Sequence, residues 1–116
     1  MIISYRPEKL AKIFNELNLL KKIYGERQAR KIAVRLVSLH SAVNLKEFWP
    51  AESLPERCHE LKGARKGEFS MDLDHPFRLI FQPSHKPIPQ LPQGGTDWSQ
   101  ITAITILRVE DTHGHG

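Results

Sequence analysis

Lys62, Arg65 and Lys66 fall within five consecutive positions, with Gly63 inside the run and Gly67 closing it. Three cations on so short a stretch suit the holding of an anion. The glycines let the backbone turn sharply and let a ligand come close to it. Arg78 follows in the next extended run, and a guanidinium is a planar fork that meets two phosphate oxygens at once. The chain ends Glu110-Asp111-Thr112-His113-Gly114-His115-Gly116, so a carboxylate and an imidazole follow the last apolar run directly. Imidazole titrates near neutrality and can give or take a proton. Cations that grip phosphate, beside groups that move protons, are the components of phosphate-ester chemistry. The same spacing also fits an exposed basic turn, a surface arginine and a frayed histidine tail. His113 and His115 are two ligands without partners, so no metal site is expected.

The surrounding pattern says what must position these groups. Phe69, Met71 and Leu73 alternate with Glu68, Ser70 and Asp72, which predicts a strand. Asp74-His75-Pro76 is a turn signal, and beyond it Phe77, Leu79 and Phe81 share one face while Arg78, Ile80 and Gln82 share the other. The two runs predict a hairpin entered through the basic turn. Ile101 to Val109 is apolar on both faces and fits a central strand. Upstream, Ile2 to Tyr5 fits a short strand, and Pro7 suits the first turn of a helix. Leu10, Ile13, Phe14, Leu17 and Leu20 make that helix's apolar stripe, and Gly25 ends it. A second helix is expected from Glu26 to about Ala42, with Ala29, Ile32, Leu36, Leu39 and Val43 inward. Arg27, Arg30, Lys31 and Arg35 lie on its other faces and read as solvated. Residues 44–57 read as a loop pinned to the core by Phe48 and Trp49, and residues 83–100, rich in proline and glycine, as a mobile spacer. The sum is a single α+β domain over residues 1–116, a helical hairpin on one face of a small twisted antiparallel sheet.

At 116 residues the chain can bury one modest core. Charged residues at 26% argue against disorder, and the formal charge of +4 leaves an anionic partner open without requiring one. Cys58 is the only cysteine, so there is no intrachain disulfide framework. No apolar run reaches the length of about 18 residues that suggests a membrane span. MIISYRPEKL lacks the apolar region of a signal peptide, and a reducing cytoplasm is the expected compartment.

ELKGARKGEFSMDLDHPFRLIFQP followed by WSQITAITILRVEDTH resembles the toxins of the RelE/ParE superfamily, above all its HigB, or plasmid-maintenance killer-protein, branch. The likeness runs in order along the whole chain. It implies a RelE-like fold and the toxin of a type II toxin–antitoxin system that cuts messenger RNA, often on the ribosome. It implies no metal or other cofactor, and an antitoxin partner, expected to be a helix-turn-helix protein. Carried onto this chain, Arg65, Lys66 and Arg78 would clamp the scissile phosphate, Lys62 would bind RNA beside them, and Asp111 or His113 would handle the proton. The chain has Thr112 where the branch often has tyrosine, which removes a ring able to stack on a base. The proline-rich insert is a second departure. The superfamily also includes ParE toxins, which bind DNA gyrase without cutting RNA, and fold alone does not choose between them. A catalytically weakened member that only binds RNA or its partner is the remaining reading.

Overall fold

The computed structural model describes residues 1–111. The elements are β1 (Ile2–Tyr5), α1 (Lys9–Phe14), α2 (Leu17–Tyr24), α3 (Glu26–Ser41), β2 (His59–Glu60), β3 (Phe69–Asp72), β4 (Phe77–Pro83) and β5 (Ala103–Asp111). Short 3-10 turns lie at Leu45–Phe48, Gly63–Arg65 and Trp98–Gln100. The fold is α+β. Its strands form one sheet in the order β1-β5-β4-β3-β2. Strands β2 to β5 pair antiparallel, whereas β1 runs parallel to β5, so the sheet is mixed and not wholly antiparallel. The cause is topological. β1 and β5 are neighbours from opposite ends of the chain, and no tight turn joins them to impose an antiparallel pairing.

The expected first helix is two helices. Glu16 is extended, with φ −124° and ψ 110°, and divides α1 from α2. Asn15 ahead of it is a weak helix former, and the break leaves Phe14 and Leu20 buried while Leu17 is exposed. Gly25 joins α2 to α3 at φ 85°, a conformation that costs glycine little. On α3 the predicted residues Ala29, Ile32, Leu36 and Leu39 are all buried. They pack with Phe69, Met71, Leu79, Phe81, Ile104 and Ile106 of the sheet to form the core. Val43 is exposed because the helix has already ended at Ser41. The terminal ammonium of Met1 donates to the carbonyls of Leu39, His40 and Ala42 at 3.1, 3.0 and 2.6 Å, a cation placed at the negative end of α3.

Arg35 corrects the reading of α3 as solvated outside its stripe. It is 4% exposed; its Nε donates to the Asp72 carbonyl at 2.7 Å and its Nη2 to the Pro55 carbonyl at 3.2 Å. Burial pushes its guanidinium below the usual range, against the pull of Glu56 and Asp72. Gln28, also buried, donates to the Asp74 carbonyl at 3.3 Å and accepts from the Asp74 amide at 2.9 Å. Helix α3 thereby holds the end of β3 and the turn that starts β4.

Residues 83–100 are more ordered than a spacer. Gln90 and Thr96 form an antiparallel bridge, the Thr96 hydroxyl donates to Glu60 Oε1 at 2.8 Å, and Trp98 is buried edge-on against Phe69. Phe48 is a core anchor as expected, but Trp49 is 55% exposed. Cys58 is fully buried, and burial raises its thiol pKa. No helix among the described residues is long and apolar enough to cross a membrane.

Candidate anion-binding site

Alternation along β4 places Leu79 and Phe81 in the core and Arg78, Ile80 and Gln82 on the opposite, outer face, as the sequence predicted. Across this face Arg78 lies between Asp72 of β3 and Glu110 of β5, and Ile80 between Ser70 and Arg108. The register shifts between Ile80 and Phe81, because Ile80 faces Arg108 while Phe81 faces Ile106. β5 therefore carries one extra residue, Leu107. Such a bulge re-aims the side chains beyond it. Ile104 and Ile106 point into the core, whereas Arg108 and Glu110, also even-numbered, point to the outer face.

Three guanidinium groups converge there on one carboxylate. Arg65 reaches over from the 3-10 turn and grips Glu110 with both nitrogens, Nη1 to Oε2 and Nη2 to Oε1, each at 2.8 Å. Arg78 donates to Glu110 Oε2 through Nη2 at 2.8 Å and Nε at 3.2 Å. Arg108 donates to Glu110 Oε1 at 3.3 Å and to Glu68 Oε1 at 2.7 Å. Arg65 also donates to Glu68 Oε1, at 3.1 Å from Nη2. Three positive groups face two negative ones, so the cluster keeps one positive charge in excess. Arg78 and Glu110 have side chains only 22% and 23% exposed, which weakens solvent screening of the pair.

Hydrogen bonds from Arg65 first, then from Arg78 and Arg108, hold the Glu110 carboxyl at about 2, against the opposing effect of burial. Arg65 in turn is raised, chiefly by its hydrogen bond to Glu110. A carboxylate this acidic is a weak proton acceptor at neutral pH, so Glu110 acts here as a counter-ion and not as a base. Stability follows from the sign of the shift. A depressed folded-state pKa contributes stability above the ordinary carboxylate range, and that contribution is lost as pH falls toward 2. The urea midpoint should therefore fall between pH 5 and pH 3, and Glu110→Gln should flatten part of that fall. An unchanged slope in the variant would mean that Glu110 is not the group responsible.

Beneath the cluster, Ile80 is fully buried although it stands outside the main core. Beside it the Ser70 hydroxyl is buried without a hydrogen-bond partner. His59 on β2 pairs with Ser70 and so belongs to the same row of the outer face, and its Nδ1 lies 3.0 Å from the Arg57 carbonyl oxygen.

Of the residues singled out by sequence, Arg65 and Arg78 are brought together on Glu110. Lys62 and Lys66 share Arg65's turn but line a cleft of about 290 Å³ with Glu60, Leu61, Gly63, Gly95 and Thr96. Asp111 lies opposite Phe77, on the sheet face away from the cluster. His113 lies outside the described residues. Sequence reading missed Arg108 and Glu110 as members of the site, together with Glu68 and His59. The chain matches no protein-family model and, at a significant level, no curated protein.

Proposed function

We propose that this chain is the toxin of a type II toxin–antitoxin pair, of the RelE/ParE kind and its HigB branch, and that it cuts messenger RNA. One observation supports the reading above the others: three arginines meet on a single carboxylate on a half-open face. A carboxylate gripped by such forks occupies the position that two phosphate oxygens would take. In the proposed reaction the RNA phosphate displaces Glu110 from Arg65, Arg78 and Arg108. The neighbouring 2′-oxygen attacks phosphorus, the bond to the 5′-oxygen breaks, and a 2′,3′-cyclic phosphate and a 5′-hydroxyl result. The arginines stabilise the charge that grows on the phosphoryl oxygens. A base takes the 2′ proton and an acid returns one to the leaving oxygen. His59 is a candidate for that exchange beside His113, since its register puts an imidazole on the arginine face, whereas Asp111 points to the other face. Lys62 and Lys66 would hold flanking phosphates. In this reading the cell compartment is the cytoplasm, the ribosome presents the message, and a helix-turn-helix antitoxin covers the basic surface.

A second reading is favoured by a specific feature. Both carboxylates in the cluster are engaged as counter-ions, and Asp111 faces away. That arrangement supports a protein that binds RNA or a partner without cutting, or a gyrase-binding toxin of the ParE kind. Mapping messenger-RNA 5′ ends by primer extension, after induction without antitoxin, separates the two. New ends within minutes for the wild type, absent with Arg78→Ala, are expected. Growth arrest with intact messages would contradict the ribonuclease and support the second reading.

A further inference from the structure

Trp49 is a large aromatic ring with 55% of its surface exposed, yet it is not loosely held. Its ring stands edge-on to Trp98 at 5.0 Å, and Trp98 is braced in turn against Phe69 at 5.4 Å. The two indoles form part of a cleft of about 180 Å³ that is also lined by Lys46, Leu91, Thr96 and Asp97. Asp97 is committed locally, since its carboxylate accepts from the Ser99 amide at 3.1 Å and the Ser99 hydroxyl at 2.6 Å. The Lys46 ammonium makes no ion pair with a described residue, and the Asp97 carboxylate lining the same cleft balances its charge.

This cleft adjoins the basic one. Thr96 lines both, and Lys62 and Lys66 line the second. The turn that carries them also carries Arg65, which reaches over the outer face to Glu110. Cations thus run from the three arginines over the basic turn, and the neighbouring cleft adds an aromatic floor flanked by Lys46 and Asp97. Much of that floor comes from residues 83–100, the segment whose fold is fixed by the Gln90–Thr96 bridge and the Thr96–Glu60 hydrogen bond.

We infer that the Trp49–Trp98 cleft is a nucleobase subsite, which stacks a base of the single strand whose phosphates occupy Lys62, Lys66 and the arginine cluster. The inference rests on the proposed RNA-binding function and adds to it the place where a base is held. Alternating cations and exposed aromatics are the chemistry by which single strands are bound, because every base offers a π-face and every linkage a charge. Thr96, Lys62 and Lys66 give the strand its continuity, and Trp49 gives it the platform. The proline-rich segment is then a wall of the substrate channel.

The test uses the intact protein and two non-cleavable probes of equal length, a 2′-O-methyl RNA octamer and the same strand with abasic positions throughout. Fluorescence titration should show the wild type preferring the base-bearing strand by about tenfold or more, the size expected of one stacked base. Trp49→Ala should collapse that preference to near unity, and Trp49→Phe should keep most of it. Lys46→Ala, at an exposed position, should weaken binding of both strands, and Trp49→Ala should still bind the abasic strand as the wild type does, which a misfolded variant would not. A preference that survives Trp49→Ala, while Arg78→Ala weakens both strands, would overturn the subsite and leave the phosphate site standing. Failure of the wild type to bind either strand would overturn both. Capture of a protein partner that Trp49→Ala abolishes, with RNA binding intact, would assign the cleft to that partner and overturn the inference.

Discussion

Replacing Arg78 with alanine should lower RNA cleavage by about 10²–10³-fold, the usual cost of losing one preorganised donor to a charged transition state. The expectation rests on where Arg78 stands. It projects from the middle of the sheet, between Asp72 and Glu110, with its backbone held on both sides by strand pairing. Its head already makes two hydrogen bonds to the carboxylate that a phosphate would displace. The Arg78 head itself then needs little reorganisation once the phosphate has displaced Glu110. Arg78→Lys should recover only part of the loss, because an ammonium keeps the charge but cannot present two parallel donors. Single-turnover rates on one RNA for the wild type, Arg78→Ala and Arg78→Lys would check the order. An alanine variant within twofold of the wild type would remove Arg78 from the chemistry.

Arg35→Ala should destabilise the fold by about 2–4 kcal/mol, the range for losing buried charge-assisted hydrogen bonds together with the packing of a long side chain. Nothing about this effect is catalytic. Arg35 ties α3 to the Asp72 carbonyl at the end of β3 and to the Pro55 carbonyl in the long loop, and its removal takes the guanidinium donor from both. Asp72 is the cross-strand partner of Arg78, so the brace also steadies the site. Arg35→Met keeps much of the volume and isolates the hydrogen bonds. It should still cost about 1–3 kcal/mol. Urea unfolding would measure both. A loss below about 0.5 kcal/mol for Arg35→Ala, the size of an ordinary surface substitution, would mean that α3 is not braced to the sheet through this residue.

Much of this architecture was legible in the sequence. The period-two runs of β3 and β4 and the period of α3 each follow from one residue type recurring at one spacing, and Arg78's outward aim follows from Phe77, Leu79 and Phe81 alone. The site was half legible, and the reason lies at Leu107. Strict alternation through β5 would send Arg108 and Glu110 inward with Ile104 and Ile106, and Asp111 outward to join Arg78. One extra residue reverses that assignment. Leu107 carries no glycine or proline signal that would reveal a bulge. Charge held the one clue, since an inward Arg108 and Glu110 would be costly to bury. Arg35 and Gln28 were hidden for a similar reason. Their partners are backbone carbonyls and an amide far along the chain, which no local pattern announces. Trp49 is the opposite case, a residue whose size suggested an anchor although its neighbour Phe48 takes that place.

The central claim is that the arginines now holding Glu110 are the groups that hold RNA phosphate. Side-chain NMR of the Arg65, Arg78 and Arg108 Nε–H groups, during titration with a 2′-O-methyl RNA octamer, tests it most directly. The three signals should move together as the strand binds. Glu110→Gln should move them at about tenfold lower RNA concentration, because the internal competitor has lost its charge. A strand that binds while these three signals stay in place would contradict the claim.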